Sequence, residues 1–222
     1  MRIFFHTHVP TPVLRVFTRV LFCLAVATAQ PVLAQQAATA AATPPSTVPA
    51  PTPAIDDKFV HDHFGNEFTL MTEFPAMVAD LNGDGIDDLV LAARAKSPSL
   101  DAGGYQYTVS DPYHAFYGFG DPTVTAAFTN DDPTRKSIVL LVIHGDGPDA
   151  WRAAKPKGKF VMINIPVQTV SIRRVKMGKK VLTVIGVEEY GMDRTTSALF
   201  WDGNLKKNTG AYKYQPLGAA LD

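Results

Sequence analysis

Residues 80–88 read Asp-Leu-Asn-Gly-Asp-Gly-Ile-Asp-Asp, with a side-chain oxygen at every second position from Asp80 through Asn82 to Asp84, and Asp88 closing the run. Gly83 and Gly85 let the backbone turn sharply without a Cβ to clash. Apolar segments stand on both sides, Pro75–Ala79 before and Leu89–Ala93 after. The run therefore reads as a tight loop between two strands, and it fixes a β-type connection in the first third of the folded part.

The same residues carry chemistry. A hard cation of calcium's size takes about 6–8 oxygen ligands, mostly carboxylate and carbonyl. Asp80, Asn82 and Asp84 would supply three side chains, Ile86 its backbone carbonyl, and Asp88 the closing carboxylate. Asp87 is out of phase with these and should point away. An EF-hand would need a bidentate Glu eleven residues after Asp80 and a helix on each side. Leu91 stands there instead, and the flanks are β-like. The alternative is an Asn-Gly/Asp-Gly turn that holds no metal.

Asp80, Asn82, Asp84, Gly85 and Asp88 match in order the pattern Asp-x-(Asn/Asp)-x-Asp-Gly-x-x-Asp. In this the run resembles the calcium loop of FG-GAP repeats, as in integrin α-subunit propellers. The resemblance covers about Phe74 to Ala93 and occurs once. It implies Ca2+ held by these residues between two strands of one sheet.

The chain begins as an exported protein would. Arg2, Arg15 and Arg19 precede the apolar stretch Val20–Ala27, and Val32-Leu33-Ala34 is a small-residue cleavage pattern, so residues 1–34 read as a signal peptide. The apolar stretch is far short of the roughly 20 residues of a membrane span, so no transmembrane segment is expected in the mature chain. Cleavage would remove the only cysteine, Cys23, and leave 18 basic and 21 acidic side chains. That balance, with no basic run, gives no reason to expect nucleic acid. A chain exported without a disulfide benefits from another staple, and a bound ion is one. Residues 35–57, rich in Ala, Thr and Pro, read as a solvated linker.

Residues 58–222 form the domain, enough for one core. Strands are expected at Phe68–Met71, Ala76–Ala79 and Leu89–Ala93. Ser137–Ile143 is apolar after its first residue and reads as a strand buried on both faces. Phe160–Ile165 is similar. Val167–Val175 and Val181–Val187 flank a hairpin at Met177-Gly178-Lys179, and Ala198–Trp201 runs into a second turn signal at Asp202-Gly203. One short helix is expected near 148–154, started by Pro148. The 15 residues His144–Gly158 are long enough for a crossover between parallel strands. Ten or eleven strands fall short of a closed propeller. The expected fold is mainly β, antiparallel and sandwich-like or a partial propeller-like sheet, with α+β as the alternative.

Other segments compete for a function. His61 and His63 would face one side of a strand and share a transition metal, which supports an exported metal-dependent hydrolase as the alternative function; a solvated strand start is the simpler account. Val142–Gly147 looks like an oxyanion segment of α/β-hydrolases, but no Gly-x-Ser-x-Gly pentapeptide exists to present a nucleophile. Tyr105–Phe119 is dense in aromatics that either lie on the core or present a face to sugars or proteins. Arg173, Arg174, Lys176, Lys179 and Lys180 bracket a hairpin and read as solubilising charge. The sequence thus points to an exported calcium-binding β domain, periplasmic or extracellular, non-enzymatic, with a structural or protein- or carbohydrate-binding role.

Overall fold

The computed structural model describes residues 53–96, 103–118, 137–190, 195–204 and 209–219. The chain divides into Met1–Val48 and Pro49–Asp222, and every described residue belongs to the second unit. The expected signal peptide and most of the expected linker lie outside the described residues.

The described chain opens on helix α1, Asp57–Phe64. Asp56 caps it, its Oδ1 accepting from the Phe59 N–H at 2.8 Å. Phe59, Val60 and Phe64 form its buried stripe. This corrects the strand start expected at His61 and His63.

Ten strands follow: β1 (Phe68–Leu70), β2 (Met77–Ala79), β3 (Asp88–Ala95), β4 (Thr108–Ser110), β5 (Ile138–His144), β6 (Gly158–Met162), β7 (Val167–Met177), β8 (Lys180–Glu189), β9 (Thr195–Asn204) and β10 (Thr209–Ala219). A second short helix, α2, spans Pro112–Tyr117. The first sheet runs β1-β3-β5-β6-β4, with β2 also on β3, and the second runs β10-β9-β8-β7. Every pairing is antiparallel except β4 with β6. The fold is mainly β, as the sequence implies.

The period of two along β3 and β5 sorts their side chains onto two cores. Val90, Ala92, Leu140 and Val142 face the second sheet and meet Ile185, Val187, Leu199 and Tyr212. Leu89, Leu91, Ala93, Val139, Leu141 and Ile143 face the other way, against Phe59, Val60 and Phe64 of α1 and against Trp151. The first sheet is the middle of three layers. That is why β5 is apolar at every position up to His144: neither face meets water.

Three expectations change. The segment near 148–154 is a 3-10 stretch, Gly147–Arg152, broken at Ala150 (φ 54°, ψ −131°), and the helix that packs on the sheet is α1. The link from His144 to Gly158 joins antiparallel strands, not parallel ones. Asp202-Gly203 is not a turn: Gly203 sits inside β9 opposite Gly210. A Cβ at Gly210 would come within 2.5 Å of Cζ2 of Trp201, so these glycines make room for an indole. The expected hairpin at Met177-Gly178-Lys179 is present, with Gly178 at φ 63°.

Candidate metal centre

The acidic run is the loop of a β-hairpin. Ala79 and Asp88 pair at its base, where β2 meets β3. Gly83 (φ 79°) and Gly85 (φ 82°) take the left-handed conformation that lets eight residues close so tightly. The loop then folds onto its own oxygens. Asp80 Oδ1 accepts from the Gly83 N–H at 2.7 Å and the Asp84 N–H at 3.1 Å, and its Oδ2 accepts from the Gly85 N–H at 2.9 Å. Asn82 Oδ1 accepts from the Asp84 N–H, and Asp84 Oδ1 from the Ile86 N–H, each at 2.9 Å. Asp87 is exposed, as its phase in the run requires.

Asp88 behaves differently. It lies on the same face of β3 as Val90 and Ala92, toward the core between the sheets, and it is fully buried. Its Oδ2 accepts from the Leu81 N–H and its Oδ1 from the Gly145 N–H, both at 2.9 Å. The expectation that Asp88 closes an ion's shell therefore meets a carboxylate already holding two backbone segments together. Burial raises its pKa to about 7 against the pull of those two N–H groups, and the charges of Asp84 and Asp80 push the same way as burial.

Three stretches converge here. Gly145 follows β5 so closely against the loop that a Cβ would lie 2.8 Å from Cγ2 of Ile86 and 2.7 Å from the carbonyl carbon of Ala150. Just before β6, Lys157 places Nζ 2.5 Å from Asp84 Oδ2. Burial pushes the Asp84 carboxyl up, but the Lys157 ammonium and the Ile86 N–H outweigh it, and its pKa is lowered. The hydrogen bond to Asp84 raises Lys157 in turn. Behind the turn, His144 is buried, with Nε2 2.8 Å from the Tyr212 hydroxyl and the rings of Phe160 and Trp201 beside it. Burial lowers His144 to about 4 and lifts Tyr212 well above its ordinary value.

The donors suit calcium in type, being oxygen throughout. Among the described residues no three histidine, cysteine or acidic side chains are gathered into a group that could hold a metal ion. A calcium shell at this loop would thus lean on the Asn82 amide oxygen and the Ile86 carbonyl as well as on Asp80 and Asp84. Sequence reasoning missed Lys157 and read Gly145 only as part of an oxyanion-like segment; neither carries a local signal that links it to the loop.

The other candidates come apart. On α1 the two histidines stand two residues apart, about 200° around the helix axis, so they do not share a face. His61 Nε2 lies 3.0 Å from the Phe68 carbonyl oxygen, and the His63 ring lies tilted against Phe59 with ring centres 4.4 Å apart. Burial, followed by the charge of Lys159, lowers the pKa of His63. The aromatic stretch divides: Tyr107 is buried against Phe64 and Phe68, whereas Phe116 and Tyr117 are both 45 % exposed on α2; Phe119 lies outside the described residues. Asp111 caps α2 from a buried position, accepting from the His114 N–H at 2.9 Å, lying 2.7 Å from His114 Nδ1, and accepting from the Asn164 amide. A cleft of about 430 Å³ between Phe74 and Val170 includes no residue of the acidic loop. No described helix is long and apolar enough to cross a membrane.

Comparison with protein families, with curated proteins and with solved structures returns no match to this chain.

Proposed function

We propose that this chain is an exported, non-enzymatic β domain that takes one calcium ion at the 80–88 loop and uses it as a structural staple. Its role is then protein or carbohydrate binding, or organisation, at the cell envelope. Asp80, Asn82, Asp84 and the Ile86 carbonyl would hold the ion, with water filling the rest of the shell. Asp88 anchors the loop to Leu81 and Gly145 from the core side. When bound, calcium would supply a fixed double positive charge that neutralises the loop acids. The observation that carries this reading is Asp84, whose outer oxygen, only 10 % exposed with its side chain, already attracts a cationic group. The loop offers a carboxylate that the fold pairs with a cationic group.

Calcium bound only to the folded state should stabilise it by about 2.7 kcal/mol at a hundredfold excess over Kd. That corresponds to a rise in Tm of roughly 5–10 °C for a domain of this size. The rise should vanish in Asp84→Ala and persist in Asp87→Ala. A Tm that is the same in calcium and in chelator would end the proposal.

A further inference from the structure

We propose that the free end of the β7–β8 hairpin is a membrane contact: Met177, Val181 and Leu182 enter the headgroup layer of an anionic bilayer, and Lys176, Lys179 and Lys180 meet its phosphates. This stands apart from the metal reading of the 80–88 loop and shares no residue with it.

Residues 175–182 read Val-Lys-Met-Gly-Lys-Lys-Val-Leu, four apolar side chains and three lysines around a glycine turn. β7 and β8 stay paired out to Met177 and Lys180, whereas β9 pairs with β8 only from Ile185 to Glu188. The ribbon thus runs past the β8–β9 pairing through Arg173–Met177 on one strand and Lys180–Val184 on the other, about 17 Å at the usual rise of a strand. From Arg173 to Thr183 no residue is buried. Val175 stands opposite Leu182, Lys176 opposite Val181, and Met177 opposite Lys180. Successive side chains alternate faces, so Val175, Met177 and Leu182 share one face with Lys180, and Val181 shares the other with Lys176. Val181 is 56 % exposed, more than any other large apolar residue among those described.

Lysines on a strand blunt it against pairing with other chains, and that accounts for the charge. It does not account for apolar side chains carried beyond the reach of the core. Residues 173–187 hold five cations and no acid. Arg173 is paired with Glu188 at 3.2 Å, while Arg174, Lys176, Lys179 and Lys180 are in no ion pair with a described residue. The occupant that fits must therefore carry negative charge and take up apolar groups beside it. An anionic bilayer does both: its surface potential attracts basic segments, and its headgroup boundary accepts apolar side chains. A second copy of the ribbon would set lysines against lysines. A polyanion in water would satisfy the charge and leave the apolar residues where they are.

The test is co-sedimentation of the full chain with vesicles of phosphatidylcholine, with and without phosphatidylglycerol, in the presence of chelator. The chelator keeps the result independent of the 80–88 loop. The chain should sediment with the anionic vesicles and stay in solution with phosphatidylcholine alone. Lys179→Gln and Lys180→Gln should each weaken binding roughly fivefold. Met177→Gln should weaken it by a similar factor, about fivefold, yet leave retention on a heparin column as in wild type. Val181→Gln serves as a second apolar variant should Met177→Gln lower the Tm. Lys155→Gln, at an exposed lysine outside the ribbon, should stay within about twofold of wild type. No sedimentation with anionic vesicles, or equal sedimentation with both kinds, would overturn the proposal. So would full vesicle binding by Met177→Gln and Val181→Gln, which would make the ribbon a binder of polyanions by charge alone. Equal weakening in Lys155→Gln and Lys180→Gln would reduce the effect to net charge and also overturn it.

Discussion

Asp88 and Asp111 are the two buried aspartates among the described residues, and they are buried for different purposes. Asp88 accepts backbone N–H groups from two segments far apart in sequence, Leu81 and Gly145. Asp111 accepts from His114 three residues on, and from the side chain of Asn164. Asp88 ties the hairpin to the turn after β5; Asp111 caps the N-terminus of a six-residue helix. Above Asp88 lies a loop whose Asp84 carboxylate pairs with the Lys157 ammonium. Next to Asp111 lie rings, with Tyr113, Phe116, Tyr117 and Tyr214 packed edge to face or tilted. A buried acid in this fold thus either ties together segments distant in sequence, as Asp88 does, or caps a local helix, as Asp111 does.

The sharpest way to break the comparison is to delete each carboxylate. Asp88→Ala strands two buried N–H donors, each costing about 1–3 kcal/mol, so urea unfolding should show a loss of about 4 kcal/mol. A loss under about 1 kcal/mol would mean that Leu81 and Gly145 find other partners and that Asp88 is no anchor.

The next effect concerns pH. His144 is 2 % exposed, and burial lowers it from 6.5 to about 4 in the folded state. Between those values the unfolded chain takes up a proton that the folded one refuses. Stability from His144 is full above about pH 6.5 and is lost as pH falls toward 4. The shift corresponds to at most about 3 kcal/mol. Asp88, raised from 3.8 to about 7, acts with the opposite sign over the same window. The informative quantity is therefore the difference between wild type and His144→Gln. Wild type should lose more stability than the variant from pH 6.5 to 4; parallel curves would show that His144 is not held neutral by its surroundings.

Asp111→Ala should cost less, about 2 kcal/mol for a lost cap and a buried partner, and its calcium-induced rise in Tm should match wild type. Loss of the calcium response in this variant would mean that the two regions are coupled and the contrast between them false.

Much of the fold was legible because burial on one or two faces leaves a pattern. The unbroken apolar run before His144 announced the middle layer, and Met177-Gly178-Lys179 announced its hairpin. Helix α1 was missed although its stripe was visible in Phe59, Val60 and Phe64, because Asp62 and the histidines suggested a solvated strand. Gly203 misled because glycine serves two ends: it can turn a chain, or it can yield space to a ring such as Trp201. In the loop, Asp80, Asn82 and Asp84 each accept backbone N–H groups of the loop itself. The burial of Asp88 was also readable, since a period of two from Val90 and Ala92 places it on the core face. Lys157 was not, because it reaches Asp84 only through the register of β5 and β6, which no local stretch encodes.

The central claim is that the 80–88 loop takes up a cation, and calorimetric titration of the full chain with calcium chloride tests it most directly. The prediction is one calcium bound per chain, a lost isotherm in Asp84→Ala and an unchanged one in Asp87→Ala. Absence of binding heat together with an unshifted Tm at millimolar calcium would contradict it, and the loop would then be a hairpin turn held by its own backbone hydrogen bonds and by Lys157.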